Sequence, residues 1–219
     1  MTDRLDGIGM TSQRTRSRMI ERLRAQGIVA EDVLDVMYEV PRHIFVDDAL
    51  ASRAYDDTAL PIGFGQSISH PYTVARMTEL VCAVRRPLGK VLEIGSGCGY
   101  QTAILARLAK EVYSIERLLP LVTKARGHLR ELRIRNVRLR HGDGHGGIPE
   151  LGPFDAILVT AAASHIPDSL KEQLGPNARM VVPMGTRRQN LCVIQRSARG
   201  FVQWMLDGVK FVPLLSGLS

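Results

Sequence analysis

Cysteine is scarce in this chain of 219 residues, and Cys82, Cys98 and Cys192 are odd in number, far apart and never arranged as Cys-x-x-Cys. That pattern argues against a disulfide framework and against a thiolate zinc site. His141 and His145 stand four positions apart, but glycines interrupt the segment and no helix would present both rings together, so no metal is expected there. Long apolar runs are missing as well. No stretch reaches membrane-spanning length, and residues 1–10 carry Asp3, Arg4 and Asp6 where a secretory leader needs an apolar centre. The expectation is a cytosolic protein with no membrane partner. Aromatic residues make up only 5% of the chain, and none is interleaved with the arginines to stack nucleic-acid bases. The Gly65-Gln66-Ser67-Ile68-Ser69-His70 segment lacks the Gly-x-Ser-x-Gly elbow of a hydrolase. No internal repeat or low-complexity segment is present.

What is there fits one compact catalytic domain over 1–219: the chain is 45% hydrophobic and long enough to bury a full core. Its net charge is +7, with arginines gathered at Arg14, Arg16, Arg18, Arg22 and Arg24 and again at Arg126, Arg130, Arg133, Arg135, Arg138 and Arg140. Both groups fall on amphipathic helices or an alternating strand, where they read as solvated faces, so nucleic acid is not expected as a partner.

The richest stretch is Val91-Leu92-Glu93-Ile94-Gly95-Ser96-Gly97-Cys98-Gly99-Tyr100. Val91, Leu92 and Ile94 suit a strand buried on both faces, and Tyr100, Ile104, Leu105 and Leu108 recur at the spacing of a helix lying on a sheet. The three alternate glycines therefore sit at a strand-to-helix turn, where backbone can approach a ligand and the first helical N–H groups face it. The spacing is Gly-x-Gly-x-Gly rather than the Gly-x-Gly-x-x-Gly of dinucleotide-binding folds. The next strand ends at Glu116, 17 residues beyond Gly99, where a carboxylate can accept from ribose hydroxyls. A third strand runs into His141-Gly142-Asp143-Gly144, an acid between glycines at the same sheet edge. Glu93 is awkward to bury and should reach a polar or basic partner.

Periodicity predicts helices over 12–26, 31–39, 72–84, 99–108 and 118–132, with a short one over 167–174. Strands are predicted over 90–94, 112–116, 137–140, 156–160, 178–183, 191–195 and 209–212. Residues 42–71 read as one long irregular connection, which is usually functional. Strands alternating with helices imply an α/β, doubly wound, mostly parallel sheet with helices on both faces. The late strands, lacking long helices between them, pair antiparallel. Residues 12–84 would supply N-terminal helices and an active-site loop, and 85–219 the ligand-binding core.

Glu93, Gly95, Gly97, Gly99, Glu116 and Asp143 together resemble the cofactor-binding pattern of S-adenosylmethionine-dependent methyltransferases. Six segments narrow this: Val40-Pro41-Arg42-His43-Ile44-Phe45-Val46, Leu60 through Pro71, Leu92 through Gln101, His141 through Gly144, Pro153 through Ala162, and Val209 through Leu214. Together they resemble the bacterial protein-L-isoaspartate O-methyltransferases over about 12–215, the most specific parts being Pro61-Ile62-Gly63-Phe64-Gly65-Gln66-Ser67-Ile68-Ser69 and Val159-Thr160-Ala161-Ala162. The chain has Ser67 where the family usually has Thr, and Cys98 where it has a small polar residue. Ala163-Ser164-His165 replaces a loop often richer in proline.

The resemblance implies a Rossmann-like methyltransferase fold with a helical N-terminal extension, and S-adenosyl-L-methionine as cofactor. It implies methylation of the free carboxylate of L-isoaspartyl residues in damaged proteins and peptides, by a monomer. Glu93, Gly95, Gly97, Gly99, Glu116, Asp143 and Gly144 would hold the cofactor, with Asp143 on the adenine amino group. Ile68 and Ser69 would meet the substrate, the Ser69 hydroxyl donating to its carboxylate. Two other readings stay open: an S-adenosylmethionine-dependent RNA methyltransferase, favoured by the charge, and a non-catalytic nucleotide-binding module. An exocyclic-amine methyltransferase would carry Asn/Asp-Pro-Pro-aromatic where this chain has Thr160-Ala161-Ala162-Ala163.

Overall fold

The computed structural model describes residues 2–83 and 87–218. The predicted end of the third helix at Val84 and the expected start of the core at 85 lie outside the described residues. The chain opens with α1 (Thr2–Asp6), α2 (Gln13–Ala25) and α3 (Glu31–Glu39). Met19, Ile20 and Leu23 of α2 and Val33, Leu34 and Met37 of α3 are buried, as their spacing predicts. Arg16 departs from expectation. Instead of lying on a solvated face it is buried, and its guanidinium donates to the carbonyls of Leu5 and, at 3.0 Å, Asp6, tying α1 down. The predicted solvated face is therefore wrong at this position, because the carbonyls at the end of α1 need donors.

Residues 42–71 are more ordered than expected. Two 3-10 turns (Arg42–Phe45 and Asp48–Arg53) lead to an antiparallel hairpin of β1 (Leu60–Gly63) and β2 (Gln66–Ile68). Its connection is the pair Phe64-Gly65, both at positive φ (54° and 69°), which matches the twist of the flanking strands. Ile62 and Ile68 turn inward and pin the hairpin to the core formed with α2, α3 and the helices that follow. Helix α4 (Pro71–Cys82) starts on a proline, whose missing N–H costs nothing at that position.

The remaining strands form one seven-stranded sheet: β3 (Leu88–Ile94), β4 (Ala109–Glu116), β5 (Val137–His141), β6 (Phe154–Val159), β7 (Leu174–Met184), β8 (Gln189–Ser197) and β9 (Gly200–Val209). The order is β5-β4-β3-β6-β7-β8-β9, parallel through β7 and antiparallel for the last two pairings. Helices α5 (Tyr100–Leu108) and α6 (Leu119–Glu131) carry the crossovers on one side, and α7 (Asp168–Glu172) packs on the other. Alternate residues of β3 feed two cores: Val91 packs with Leu105, Val112 and Leu158, while Leu92 and Ile94 pack with Ile157, Leu170 and Met180. Because the chain leaves β3 toward β4 and returns to its other side as β6, the C-terminal ends of these strands open a crevice.

One strand was misplaced by the sequence pattern. Residues 209–212 only begin at the end of β9, which occupies Gly200–Val209 as an edge strand with most of its side chains exposed. Residues beyond it serve another purpose.

Candidate active site

The glycine loop joins β3 to α5 with Gly95, Gly97 and Gly99 at φ of 95°, 53° and 91°. At Gly95 a side chain is excluded twice, since a Cβ would also stand 2.3 Å from Thr160 Oγ1. That hydroxyl is fixed, donating to the carbonyls of Ile94 (3.0 Å) and Gly95 (2.6 Å). The Gly95 amide donates to the carbonyl of Ile115 at 2.7 Å, so the loop is tied to both neighbouring strands.

Glu116, buried at the end of β4, accepts from the Gly97 amide through Oε2 and from the Leu118 amide through Oε1, each at 3.0 Å. A carboxylate has about four acceptor positions, so two remain for a ligand in the cavity that Glu116 lines. Glu93 sits behind the loop. Its Oε2 accepts from the hydroxyls of Thr102 (2.5 Å) and Ser114, while Oε1 is buried without a partner. Burial pushes this carboxyl up to about 7, and the charge of nearby Glu116 adds to the shift. Glu93 is not among the residues lining the cavity.

Asp143 caps a 3-10 turn at Gly144–Gly146, with Oδ1 accepting from the His145 amide (2.9 Å) and Nδ1 (2.8 Å). Its Oδ2 accepts from the Gly217 amide at 2.7 Å. Those donors, Gly217 first, lower the carboxyl to about 2. Its neighbours Gly142 and Gly144 line the cavity, and Gly144 has no room for a side chain, a Cβ falling 2.3 Å from Ile94 Cγ2.

The cavity they border runs from the glycine loop to the hairpin and is open to solvent at its mouth. Its far wall is the end of the hairpin, Gln66, Ser67, Ile68 and Ser69. Ser69 is half-buried just past β2, and its hydroxyl makes no hydrogen bond to any described residue. Thus Gly95, Gly97, Glu116, Gly144, Ile68 and Ser69 share one cavity, whereas Gly99, Glu93 and Asp143 support its edges. Cys98, also on the lining, is buried and its thiol is pushed up to about 11, so it stays protonated and non-nucleophilic. Among the described residues no group of histidines, cysteines and acids could hold a metal ion.

The sequence reading missed the cavity's third wall. Phe211 to Leu215 line it, held along Ala162 by two backbone hydrogen bonds of 2.8 Å, Ala162 N–H to Val212 and Leu214 N–H to Ala162. The available signal was the Val209 through Leu214 segment, to which spacing alone assigned no role.

A family model described as protein-L-isoaspartate(D-aspartate) O-methyltransferase matches residues 14–219. A protein-L-isoaspartate O-methyltransferase from Dechloromonas aromatica is 60% identical over 213 residues, spanning 97% of this chain and 99% of that protein. One from Methylobacillus flagellatus is 61% identical over 219 residues, 98% of each chain. Among solved structures, a Plasmodium falciparum beta-aspartate methyltransferase in complex with S-adenosyl-L-homocysteine superposes with a TM-score of 0.80 at 28% identity, covering 90% of this chain and 97% of that one. Another protein-L-isoaspartate O-methyltransferase gives 0.83 at 27% identity over 93% and 67% of the two chains. Sequence match and fold run together across almost the whole length, through the glycine loop and the Ser69 hairpin alike, and the chain belongs to the protein-L-isoaspartate(D-aspartate) O-methyltransferase family.

Proposed function

We propose that this chain repairs damaged proteins and peptides by moving a methyl group from S-adenosyl-L-methionine to the free carboxylate of L-isoaspartyl residues. The observation that carries the reading is the continuity of one cavity from the glycine loop and Glu116 to the unpartnered hydroxyl of Ser69. The residues fit the cofactor: Glu116 keeps spare acceptor positions for ribose hydroxyls, Gly95, Gly97 and Gly144 bring no side chain to the cavity they line, and Gly99 lets the loop turn into α5 against Ala125. Glu93 fixes the loop from behind. Asp143 is assigned to the adenine edge, with its geometry held by His145 and Gly217.

When bound, the cofactor supplies a sulfonium methyl; a carboxylate oxygen of the substrate bonds to that carbon as the sulfur–carbon bond breaks, leaving a methyl ester and S-adenosylhomocysteine. The protein need not move a proton, because an isoaspartyl carboxyl with an unperturbed pKa near ~4 is already ionised at neutral pH. Positioning is then the main task. Ser69 donates its hydroxyl to one carboxylate oxygen and aims the other, Ile68 packs beside it, and the three walls keep water out. We read the chain as one catalytic unit, a monomer in the cytosol, which suits its buried, widely separated Cys98 and Cys192.

Methyl transfer from labelled cofactor to an isoaspartyl peptide, its aspartyl isomer and an RNA pool tests the reading. Label should enter the isoaspartyl peptide alone. Label in RNA, or equal label in the two peptides, overturns it.

A further inference from the structure

Arg42 is wholly buried, which for an arginine demands partners. Its Nε donates to the carbonyl of Ala54 at 2.7 Å and its Nη2 to the carbonyl of Ser69 at 2.6 Å. Its guanidinium lies 4.9 Å from the ring centroid of Tyr100, the first residue of α5 and a cavity-lining side chain. Arg42 Nη1 and the Tyr100 hydroxyl are both buried without a hydrogen bond of good geometry, and the two side chains act chiefly on each other. No aspartate or glutamate among the described residues forms an ion pair with Arg42. A cation is thus buried directly behind Ser69, its charge met by carbonyl dipoles and by the ring and phenol of Tyr100 with no carboxylate among its described partners.

We propose that Arg42 is the positioning residue of the acceptor site: by holding the Ser69 carbonyl it orients the loop, and its unbalanced charge makes that loop selective for a carboxylate. The inference rests on the isoaspartyl reading above. The anion that completes the electrostatics is the substrate's own, and a neutral acceptor of the same shape leaves the cation as it was.

The test compares binding of two peptides, one isoaspartyl and one carrying the isosteric isoasparaginyl amide, in the presence of S-adenosylhomocysteine. Wild-type enzyme should prefer the carboxylate by about ten- to fiftyfold, the scale of one charge pair several ångströms apart at an effective dielectric near 20. Arg42→Met should collapse that preference to within about threefold while S-adenosylhomocysteine affinity stays within about threefold of wild type. Arg42→Lys should retain the preference but lose turnover, because an ammonium cannot reach both carbonyls with the arginine's fork. Equal weakening of both peptides in Arg42→Met marks a purely structural role and overturns the proposal. If Arg42→Met does not fold, as judged by circular dichroism, Arg42→Lys decides, and loss of the preference there overturns it. A wild-type enzyme indifferent between the two peptides overturns it without any variant. Failure of wild-type enzyme to methylate the isoaspartyl peptide at all refutes instead the reading on which it rests.

Discussion

The glycine-loop wall and the hairpin wall face the same cavity but are secured by different means. On the glycine side the backbone itself is held: Gly95 to Ile115, Thr160 to Ile94 and Gly95, Glu116 to Gly97 and Leu118, all at the ends of central parallel strands. On the hairpin side, anchorage comes from side chains reaching in from elsewhere. Ile62 and Ile68 enter the core, Lys124 Nζ pairs with Asp47 and approaches the Ile62 carbonyl at 3.5 Å, and Arg42 holds Ser69. A wall tied by short contacts to the ends of central strands tolerates little change in shape, and suits a ligand that is always the same. A wall tied by long side chains from outlying elements can adjust, which suits a substrate whose flanking residues vary.

The sharpest way to break this contrast is Gly95→Ala. A Cβ placed 2.3 Å from Thr160 Oγ1, at φ 95°, combines steric overlap with backbone strain, together costing about 2–4 kcal/mol. Affinity for S-adenosylhomocysteine should fall by about thirty- to several-hundredfold in calorimetry; a value within threefold of wild type would show that this wall yields as readily as the other.

The second test concerns the support behind the loop. The Glu93 carboxyl is raised to about 7 when folded against about 4.5 as its reference value, so the folded state holds the extra proton between those limits. Stability is therefore fully present below about pH 4.5 and declines as pH rises toward 7, by up to about 3 kcal/mol. Glu93→Gln, which keeps an acceptor for Thr102 and Ser114, should remove this slope, so that urea melts of variant and wild type diverge increasingly from pH 5 to pH 8. Parallel stability curves would mean that Glu93 is ionised throughout.

Glu116→Ala removes the charged acceptor proposed for the ribose hydroxyls and two loop ties, and charge-assisted hydrogen bonds contribute about 1.5–3 kcal/mol. Cofactor affinity should drop about ten- to a hundredfold, with isoaspartyl KM little changed at saturating cofactor. An unchanged affinity in a folded variant would remove Glu116 from the cofactor site.

The smallest effect is expected on the hairpin. Ser69→Ala should lower kcat about tenfold and leave S-adenosylhomocysteine affinity alone, because only an orienting donor is lost. Single-turnover kinetics separate this from a nucleophile, whose removal would abolish turnover and whose native form would carry a covalent adduct visible by mass spectrometry.

The same contrast explains what could be read from the residues alone. The glycine loop, Glu116 and the helices of the crossovers were legible because each is a local pattern: apolar spacing, then glycine, then an acid one strand later. The hairpin was not, since β1 and β2 are only four and three residues long and their turn hides in Phe64-Gly65, an aromatic at positive φ. β9 was placed too late because an exposed edge strand has weak apolar contrast. Arg16 looked like any surface arginine and Arg42 stood out only as part of a segment without a role of its own; their burial depends on carbonyls distant in sequence, at Asp6, Ala54 and Ser69.

The wall formed by Phe211 to Leu215 also bears on how the protein is made. Cavity-lining residues come from near positions 62–69, 74–77, 94–101, 115–118, 142–144 and 160–161, and the last contribution arrives at 211–215. As synthesis proceeds from the N-terminus, helices, hairpin and central strands can pack early, yet the cavity lacks a side until residue 215 has left the ribosome. Cofactor binding can stabilise only a chain that has this segment in place. A nascent chain arrested at 210 should therefore gain no protease resistance from S-adenosylhomocysteine, whereas one extended past 215 and the ribosomal tunnel should.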